Sequence, residues 1–381
     1  MSNIKEHRLP PIIKWAGGKE QELKYIHPRL SQKIDNYYEP FIGGGAVYFS
    51  INAKKMFIND KSDELIGFYN LIATQDRDFF RVVEEIMYNW NLLEGIVQNN
   101  KDIFVKKYIK FSKNLTDETK VENWVYSFIL QHSKEFKAMF DVTFNVNIKN
   151  FLNELKKNIL SKMKRMKKIE PERGKLQDKD ILDNMEAALK SAFYMHFRHL
   201  YNNIQKYQIS KSFATAIFFF IRNYAYSGMF RYNKSGLFNV PYGGIGYNRK
   251  NFSKRVESLK NIELVKHLEK TTIENLDFEE FFEKNRPSKD DFIFVDPPYD
   301  NTYSSYSNNS FTRSDQERLS DFLINRCEAK WMMVIKNTDF IHGLYRKDNI
   351  DISSFDKKYL LSIQNRNIRD AKHMIITNYE S

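Results

Sequence analysis

Apolar positions along this chain follow two different patterns, which change over near residue 76 and again near residue 260. Toward both ends they form short runs: "NYYEPF" from Asn36, "MFIND" from Met56, "DFIFVD" from Asp291, "WMMVIK" from Trp331, "YLLSI" from Tyr359 and "HMIITNY" from His373. Runs of this length predict strands. Segments with helical spacing alternate with them, such as "SDELIGFYNLIA" from Ser62 and "SDQERLSDFLINR" from Ser314, where Ser314 and Glu317 are spaced as a capping box. Strand and helix in alternation predict an α/β sheet covered by helices. From about Asp76 to Tyr224 the period is helical, with Leu155, Ile159, Met163 and Met166 on one face. "FATAIFFFIRNY" from Phe213 reads as a buried helix, too short to span a bilayer, and "EPERGKLQDKD" from Glu170 as an exposed loop. The expected organisation is one α/β domain built from residues 1–75 and 262–381, with residues 76–261 a largely helical insertion.

Charge adds a partner to this picture. Lys and Arg number 60 against 48 Asp and Glu, a net charge of +12 over 381 residues, which favours a polyanion such as nucleic acid. Lys156, Lys157, Lys162, Lys164, Arg165, Lys167 and Lys168 fall in one acid-free stretch opposite the apolar face; a solvated face and a nucleic-acid contact both fit it. The single cysteine, Cys327, excludes an internal disulfide and a cysteine-rich metal site. "MSNIKEHRLPPIIKW" lacks the apolar core of a secretion signal, so a reduced, cytoplasmic protein without a membrane anchor is expected. His196 and His199 form an HxxH pair with nothing nearby to complete a zinc site, and no metal is expected.

Three stretches carry chemistry. "YEPFIGGGAVYFS" from Tyr38 sets Gly43, Gly44 and Gly45 between a strand and a helix, where glycine lets a ligand approach the backbone; the spacing is not GxGxxG. Asp60, at the tip of the next strand, suits ribose hydroxyls; a helix cap is the alternative, and the adjacent glycines favour the ribose. "IIKWAGGKE" compresses an aromatic face, a tight turn and a cation into Trp15, Gly17, Gly18 and Lys19, which points to a ligand contact. In "FIFVDPPYDN" a buried-looking strand ends on Asp296, Pro297, Pro298 and Tyr299. A proline turn accounts for the prolines alone; a carboxylate and an aromatic at the carboxyl end of a strand of an open α/β sheet also fit a ligand site.

"KWAGGK", "EPFIGGGAVYF", "NDKSDELIGFYN", "SGMFRYNKSGLFNVPYG", "FVDPPYDN" and "IKNTD", in this order and over nearly the whole chain, resemble the Dam-type DNA adenine-N6 methyltransferases, the alpha group of amino-methyltransferases. The resemblance implies a Rossmann-like, S-adenosylmethionine-dependent methyltransferase sheet with an inserted target-recognition domain. It implies cofactor contacts from Trp15, Lys19, Phe41, Gly43, Gly45, Asp60 and Asp296, and a catalytic tetrapeptide Asp296, Pro297, Pro298 and Tyr299. Its DNA-contacting hairpin falls near residues 224–250, with Tyr226, Ser227, Met229, Arg231 and Lys234 as the contacts. Ser227 stands where GATC-specific members usually have asparagine, so GATC is not carried over as the target. Lys336 and Asn337 match a family segment near the target base or the junction with the recognition domain, although a strand-end turn explains them as well.

The expected activity is methyl transfer from S-adenosylmethionine to a flipped adenine in double-stranded DNA, by a prokaryotic or phage enzyme with or without a cognate restriction endonuclease. Asp296 and the Pro297 carbonyl would accept the two amino hydrogens, and Tyr299 would stack on the base. Cytosine-N4 methylation, methylation of structured RNA and an inactive DNA-binding partner are the alternatives; the acid at Asp296 and the intact glycine loop favour the adenine enzyme.

Overall fold

Why the ends of the chain form strands is plain from burial. In the computed structural model, which describes residues 9–138, 146–299, 311–358 and 370–380, β1 (Asn36–Glu39) and β2 (Lys55–Asn59) are the first two predicted runs, and α1 (Asp63–Ala73) follows, capped by Ser62. A succession of helices comes next: α2 (Arg77–Asn99), α3 (Lys101–Ser112), α4 (Glu118–Gln131), α5 (Ile148–Arg173), α6 (Asp178–Tyr201) and α7 (Lys211–Tyr224). The chain then returns to strands through β3 (Thr271–Glu274), α8 (Phe278–Lys284), β4 (Phe292–Val295), α9 (Arg313–Asp321), β5 (Lys330–Lys336), β6 (Asp351–Lys358) and β7 (Asp370–Thr377). Two compact units result, Met1–Gln75 with Ser258–Ser381, and Asp76–Glu257.

In the first unit the described strands form one sheet in the order β3-β2-β1-β4-β5-β7-β6. Pairings are parallel from β3 to β5, while β7 runs antiparallel to both β5 and β6. The central β4 is buried on both faces, as Phe292, Ile293, Phe294 and Val295 require. From β1 the sheet grows outward in opposite directions, through β2 on one side and β4 on the other. Ligands of open α/β sheets bind at the carboxyl ends of strands flanking such a reversal. Both the glycine loop, after β1, and Asp296, after β4, lie there.

Local details depart from expectation in three places. Helix α9 is capped by Thr312 with Asp315 rather than by Ser314 with Glu317: Thr312 has extended backbone, whereas Ser314 already lies inside the helix. Arg318 of α9 then binds Asp277 at 2.7 Å and Glu279 at 2.6 Å, tying α9 to α8. The start of "EPERGKLQDKD" is helical, since α5 runs through Pro171 to Arg173 and ends at Gly174, whose φ of +84° suits glycine. Strands β3 and β6 were not marked by apolar runs, and the strand expected from Tyr359 lies outside the described residues.

The second unit is helical through α7 and packs around aromatic side chains. Trp90 meets Phe193, Phe220, Tyr224 and Tyr242, and the apolar face of α5 (Leu155, Ile159, Met163 and Met166) is fully buried. Helix α5 packs along α6 in a register marked by Asn150 with His196 and Asn158 with Ser191. Among the described residues no helix is long and apolar enough to cross a membrane.

Candidate active site

Strand β4 delivers Asp296 and Tyr299 to the end of the sheet, where Lys19 meets both. The Lys19 ammonium, only 3% exposed, donates to Asp296 Oδ2, to Tyr299 Oη at 3.2 Å and to the Gly17 carbonyl at 3.0 Å. A buried ammonium is costly unless paired, and here one carboxylate, one phenol and one carbonyl share it. The contact fixes the rotamer of the carboxylate. Pro298 is held from the other side, its carbonyl accepting from the buried Gln316 Nε2 at 2.9 Å. The two prolines therefore differ, since the Pro298 carbonyl is engaged by Gln316. The Tyr299 ring also lies edge-to-face with His373, centroids 5.5 Å apart.

The glycine loop closes against Trp15. A Cβ on Gly43 (φ +47°) would come 2.8 Å from Trp15 Cδ1, and one on Gly45 (φ +72°) 2.7 Å from Tyr69 Oη. At these two positions only glycine serves. Asp60 is not the cap of α1, because Ser62 takes that role. Its carboxylate instead accepts the Gly43 N–H at 3.1 Å and the Ser62 N–H at 3.0 Å, so the tip of β2 and the loop after β1 hold each other. Phe41, partly exposed, packs edge-to-face on Phe311 at 5.4 Å and against Phe278 at 5.9 Å, giving an aromatic wall beside this loop. The loop, carboxylate and wall fit a nucleoside-bearing cofactor: a cradle that a Cβ would fill, an oriented acid and flat apolar surface.

Glu39, at the end of β1, is a residue that sequence reasoning passed over. It is 3% exposed, accepts from the Tyr37 hydroxyl and takes a backbone hydrogen bond from Tyr48. Burial pushes its carboxyl well above the usual range, and the charge of Asp296 pushes it further, against the opposing pull of its hydrogen bonds and of Lys19. Burial thus favours the neutral form of Glu39, in which Lys19 faces one ionised partner in Asp296. Phe278, Phe311 and Gln316 were missed too; nothing in the sequence separates them from ordinary helix residues.

The hairpin residues belong to the second unit. Two antiparallel bridges, Ala225 with Tyr242 and Tyr232 with Phe238, shape the segment, and Asn233 accepts from the N–H groups of Ser235 and Leu237 to turn its tip. Its root is pinned to α6: Tyr194 and Arg198 donate to the Val240 carbonyl, and Asn202 exchanges two hydrogen bonds of 2.9 Å with the Phe238 backbone. Arg231 and Lys234 are exposed, as is Tyr226, at 49%. Met229 is half-buried, and Ser227 sits in the left-handed region at φ +53°. Polar and aromatic groups thus project from an anchored base.

The HxxH pair is part of the helical core. His196 pairs with Asn150 and His199 with Tyr207, and burial pulls His196 down to about 3. Among the described residues no group of three or more His, Cys, Asp or Glu is placed to hold a metal ion. Lys336 ends β5, and Asn337 donates its N–H to the Lys372 carbonyl, continuing the pairing with β7.

With this geometry in place, comparison with known proteins is decisive. The model of the D12 class N6 adenine-specific DNA methyltransferases matches residues 15–188 and 169–360. The chain belongs to this family. Its relatives include the type II methyltransferase M.CviBI of Paramecium bursaria Chlorella virus NC1A, 25% identical over 376 residues that cover 97% of this chain and 100% of the relative. Type II methyltransferase M.MjaIII of Methanocaldococcus jannaschii is 26% identical over 389 residues, covering 97% and 99%. A DNA adenine methylase of Vibrio cholerae is 21% identical over 349 residues, covering 90% and 86%. As an adenine-specific DNA methyltransferase, the protein needs a site that grips an exocyclic amino group, and the acid at the end of β4 lies inside the matched region.

Proposed function

We propose that this adenine-specific DNA methyltransferase uses S-adenosylmethionine, whose sulfonium supplies an electrophilic methyl group, and that Asp296, Pro297 and Tyr299 hold an adenine extruded from duplex DNA. The observation that carries the reading is the convergence of Lys19, Asp296 and Tyr299 at the carboxyl end of β4, next to the glycine loop after β1. Trp15, Phe41, Gly43, Gly45 and Asp60 would hold the cofactor, with Asp60 accepting from ribose hydroxyls.

An adenine amino nitrogen is a poor nucleophile because its lone pair is delocalised into the ring. Asp296 accepts one N–H and the Pro297 carbonyl the other, which localises the lone pair and aims it. Lys19 occupies Oδ2 of Asp296, so the carboxylate cannot rotate away from the amino group. The same carboxylate is placed to take the proton that the nitrogen sheds on methylation. Tyr299 stacks on the base, its hydroxyl anchored by Lys19. Positioning of this kind is the main source of rate.

The helical unit supplies target recognition, with Arg231 and Lys234 on phosphate or guanine edges and Tyr226, Ser227 and Met229 at the opened step. The type II names of two relatives support a role beside a cognate restriction endonuclease. The test is incubation of the protein and labelled S-adenosylmethionine with unmethylated DNA, followed by nucleoside analysis. N6-methyladenine is expected; Asp296→Ala abolishes it while DNA binding persists. N4-methylcytosine, or full activity of Asp296→Ala, would overturn the assignment.

A further inference from the structure

The excess positive charge of the chain resides entirely in one unit. Residues 76–257 hold 32 Lys and Arg against 19 Asp and Glu, whereas the other 199 residues hold 28 against 29. The proposed recognition hairpin supplies only Arg231, Lys234, Arg249 and Lys250 of this excess. A larger concentration lies on α3 and the second half of α5. Lys106, Lys110 and Lys113 are exposed at i, i+4 and i+7, opposite the buried Phe104, Tyr108 and Phe111, and span about 10 Å of one helical face. Lys167 of α5 lies 4.1 Å from the centre of the Phe111 ring, which brings the exposed Arg165 and Lys168 alongside.

Most nearby acids are engaged elsewhere, with Asp102 and Glu172 exposed on the same two helices but in no ion pair among the described residues. Glu118 is taken by Lys164 at 2.6 Å, Glu122 by Lys156 at 2.7 Å, and Glu170 by the Leu176 N–H and Tyr108. Lys106, Lys110, Lys113, Arg165 and Lys168 form no ion pair among the described residues. The crowding is felt at Lys162, whose ammonium is held below its usual range by burial and by the charge of Arg165. An unpaired cationic face on a folded helix pair calls for an anion supplied from outside.

The register of α5 on α6 locates this face. With Asn150 at His196 and Asn158 at Ser191, the Arg165 turn lies beside α6 near Asp183, where Asn248 and Arg249 at the end of the hairpin segment also attach, whereas the stretch Phe238 to Val240, which follows the hairpin tip, is pinned at Arg198 and Asn202. That separation is about 22 Å of helix axis, or six to seven base-pair steps of B-DNA.

We propose that the exposed cations of α3 and of the second half of α5 form a second, sequence-independent surface that grips the backbone of duplex DNA flanking the methylated site. The proposal rests on the reading of the helical unit as DNA-binding. Its test compares wild type with Lys106→Glu/Lys110→Glu/Lys113→Glu and, independently, Arg165→Gln/Lys168→Gln, on random-sequence duplexes of about 12 and about 40 base pairs over a salt series. A control, Arg286→Glu/Lys289→Glu/Lys347→Glu, makes the same net-charge change on exposed residues of the sheet unit. Melting curves establish that each variant is folded.

On the long duplex the α3 variant should bind roughly tenfold or more weakly and lose about 2 to 3 from the slope of log affinity against log salt, near 0.9 per phosphate contact. The Arg165/Lys168 variant should lose about 2, and the control should stay within about twofold of wild type. On the short duplex the differences should shrink. Equal weakening by the control, equal loss at both lengths, wild-type binding by both patch variants, or tighter binding of duplex RNA than of DNA would each overturn the proposal. Methyl transfer by the wild-type protein, measured alongside, separates failure of this surface from failure of the DNA reading itself: an active wild type with unaffected variants removes only the second surface.

Discussion

Replacing Glu39 by glutamine separates the packing of that side chain from its charge. In the folded protein burial keeps the carboxyl protonated well above its usual 4.5, whereas the unfolded chain ionises near that value. Below pH 4.5 both states hold the proton and the group confers no pH dependence. Above it the folded state binds one more proton than the unfolded, so stability falls with rising pH by about 1.4 kcal/mol per unit until the folded group itself ionises. Glutamine keeps an acceptor for Tyr37 and cannot ionise; any misfit of its amide toward Tyr48 is a constant offset. The stability difference, variant minus wild type, should therefore grow as pH rises above 4.5, by about 1.4 kcal/mol per unit until the folded carboxyl ionises. Native-state hydrogen exchange of the peptide spanning residues 36–42, corrected for intrinsic rates, reads this locally and leaves the helical unit out of the measurement. A difference that stays flat with pH refutes the neutral carboxyl, and with it the view that Lys19 faces only one ionised partner.

Other outcomes follow from the same geometry. Asp60→Ala should raise the dissociation constant for S-adenosylmethionine by about 10- to 100-fold, the worth of hydrogen bonds to a charged group; an unchanged constant in equilibrium binding rejects its ribose role. Gly45→Ala would place a Cβ 2.7 Å from Tyr69 Oη at φ +72°, so a melting loss equivalent to about 2 kcal/mol or more is expected, together with weakened cofactor binding. His196, pulled from 6.5 to about 3 by burial, gives the opposite linkage to Glu39. As pH falls from 6.5 the unfolded state gains a proton that the folded state refuses, costing about 1.4 kcal/mol per unit. His196→Gln should flatten this acid limb in urea titrations, and an unchanged slope would contradict a neutral His196.

What the sequence disclosed and what it hid divide along physical lines. Strands buried on both faces, such as β4 and β5, announce themselves as apolar runs, and the aromatic helix α7 does likewise. The two strands it concealed, β3 ("TTIE") and β6 ("DISSFDKK"), are the two edges of the sheet. An edge strand has one unpaired side facing water and is commonly polar, so hydrophobic pattern has little to mark it. Glu170 to Arg173 looked like loop because Pro171 counts against a helix, yet the last turn of α5 tolerates the loss of one hydrogen bond and stops only at Gly174. The glycine loop and the Asp-Pro-Pro-Tyr segment were legible because their chemistry is local. The pairing of Lys19 with Asp296, 277 residues apart, was not, and neither was the buried carboxyl of Glu39.

That hidden pair bears on why a cation belongs in a site proposed to receive a sulfonium. A second positive charge would oppose the cofactor unless it were neutralised on the spot, and Asp296 neutralises Lys19 by direct contact. An ionised Glu39 would add a second negative charge within the field of Lys19 and Asp296, which its burial opposes. Holding Glu39 neutral leaves one cation bound to one anion, with the remaining acceptor capacity of Asp296 directed at the amino group in the proposed reaction. The near-balance of 28 basic against 29 acidic residues over the whole sheet unit fits the same economy, while the positive charge that attracts a polyanion is carried by the helical unit. On the proposed reading, charge for capture and charge for chemistry fall in different parts of one chain, so surface substitutions in the helical unit should alter salt dependence without touching the proposed amino-group site.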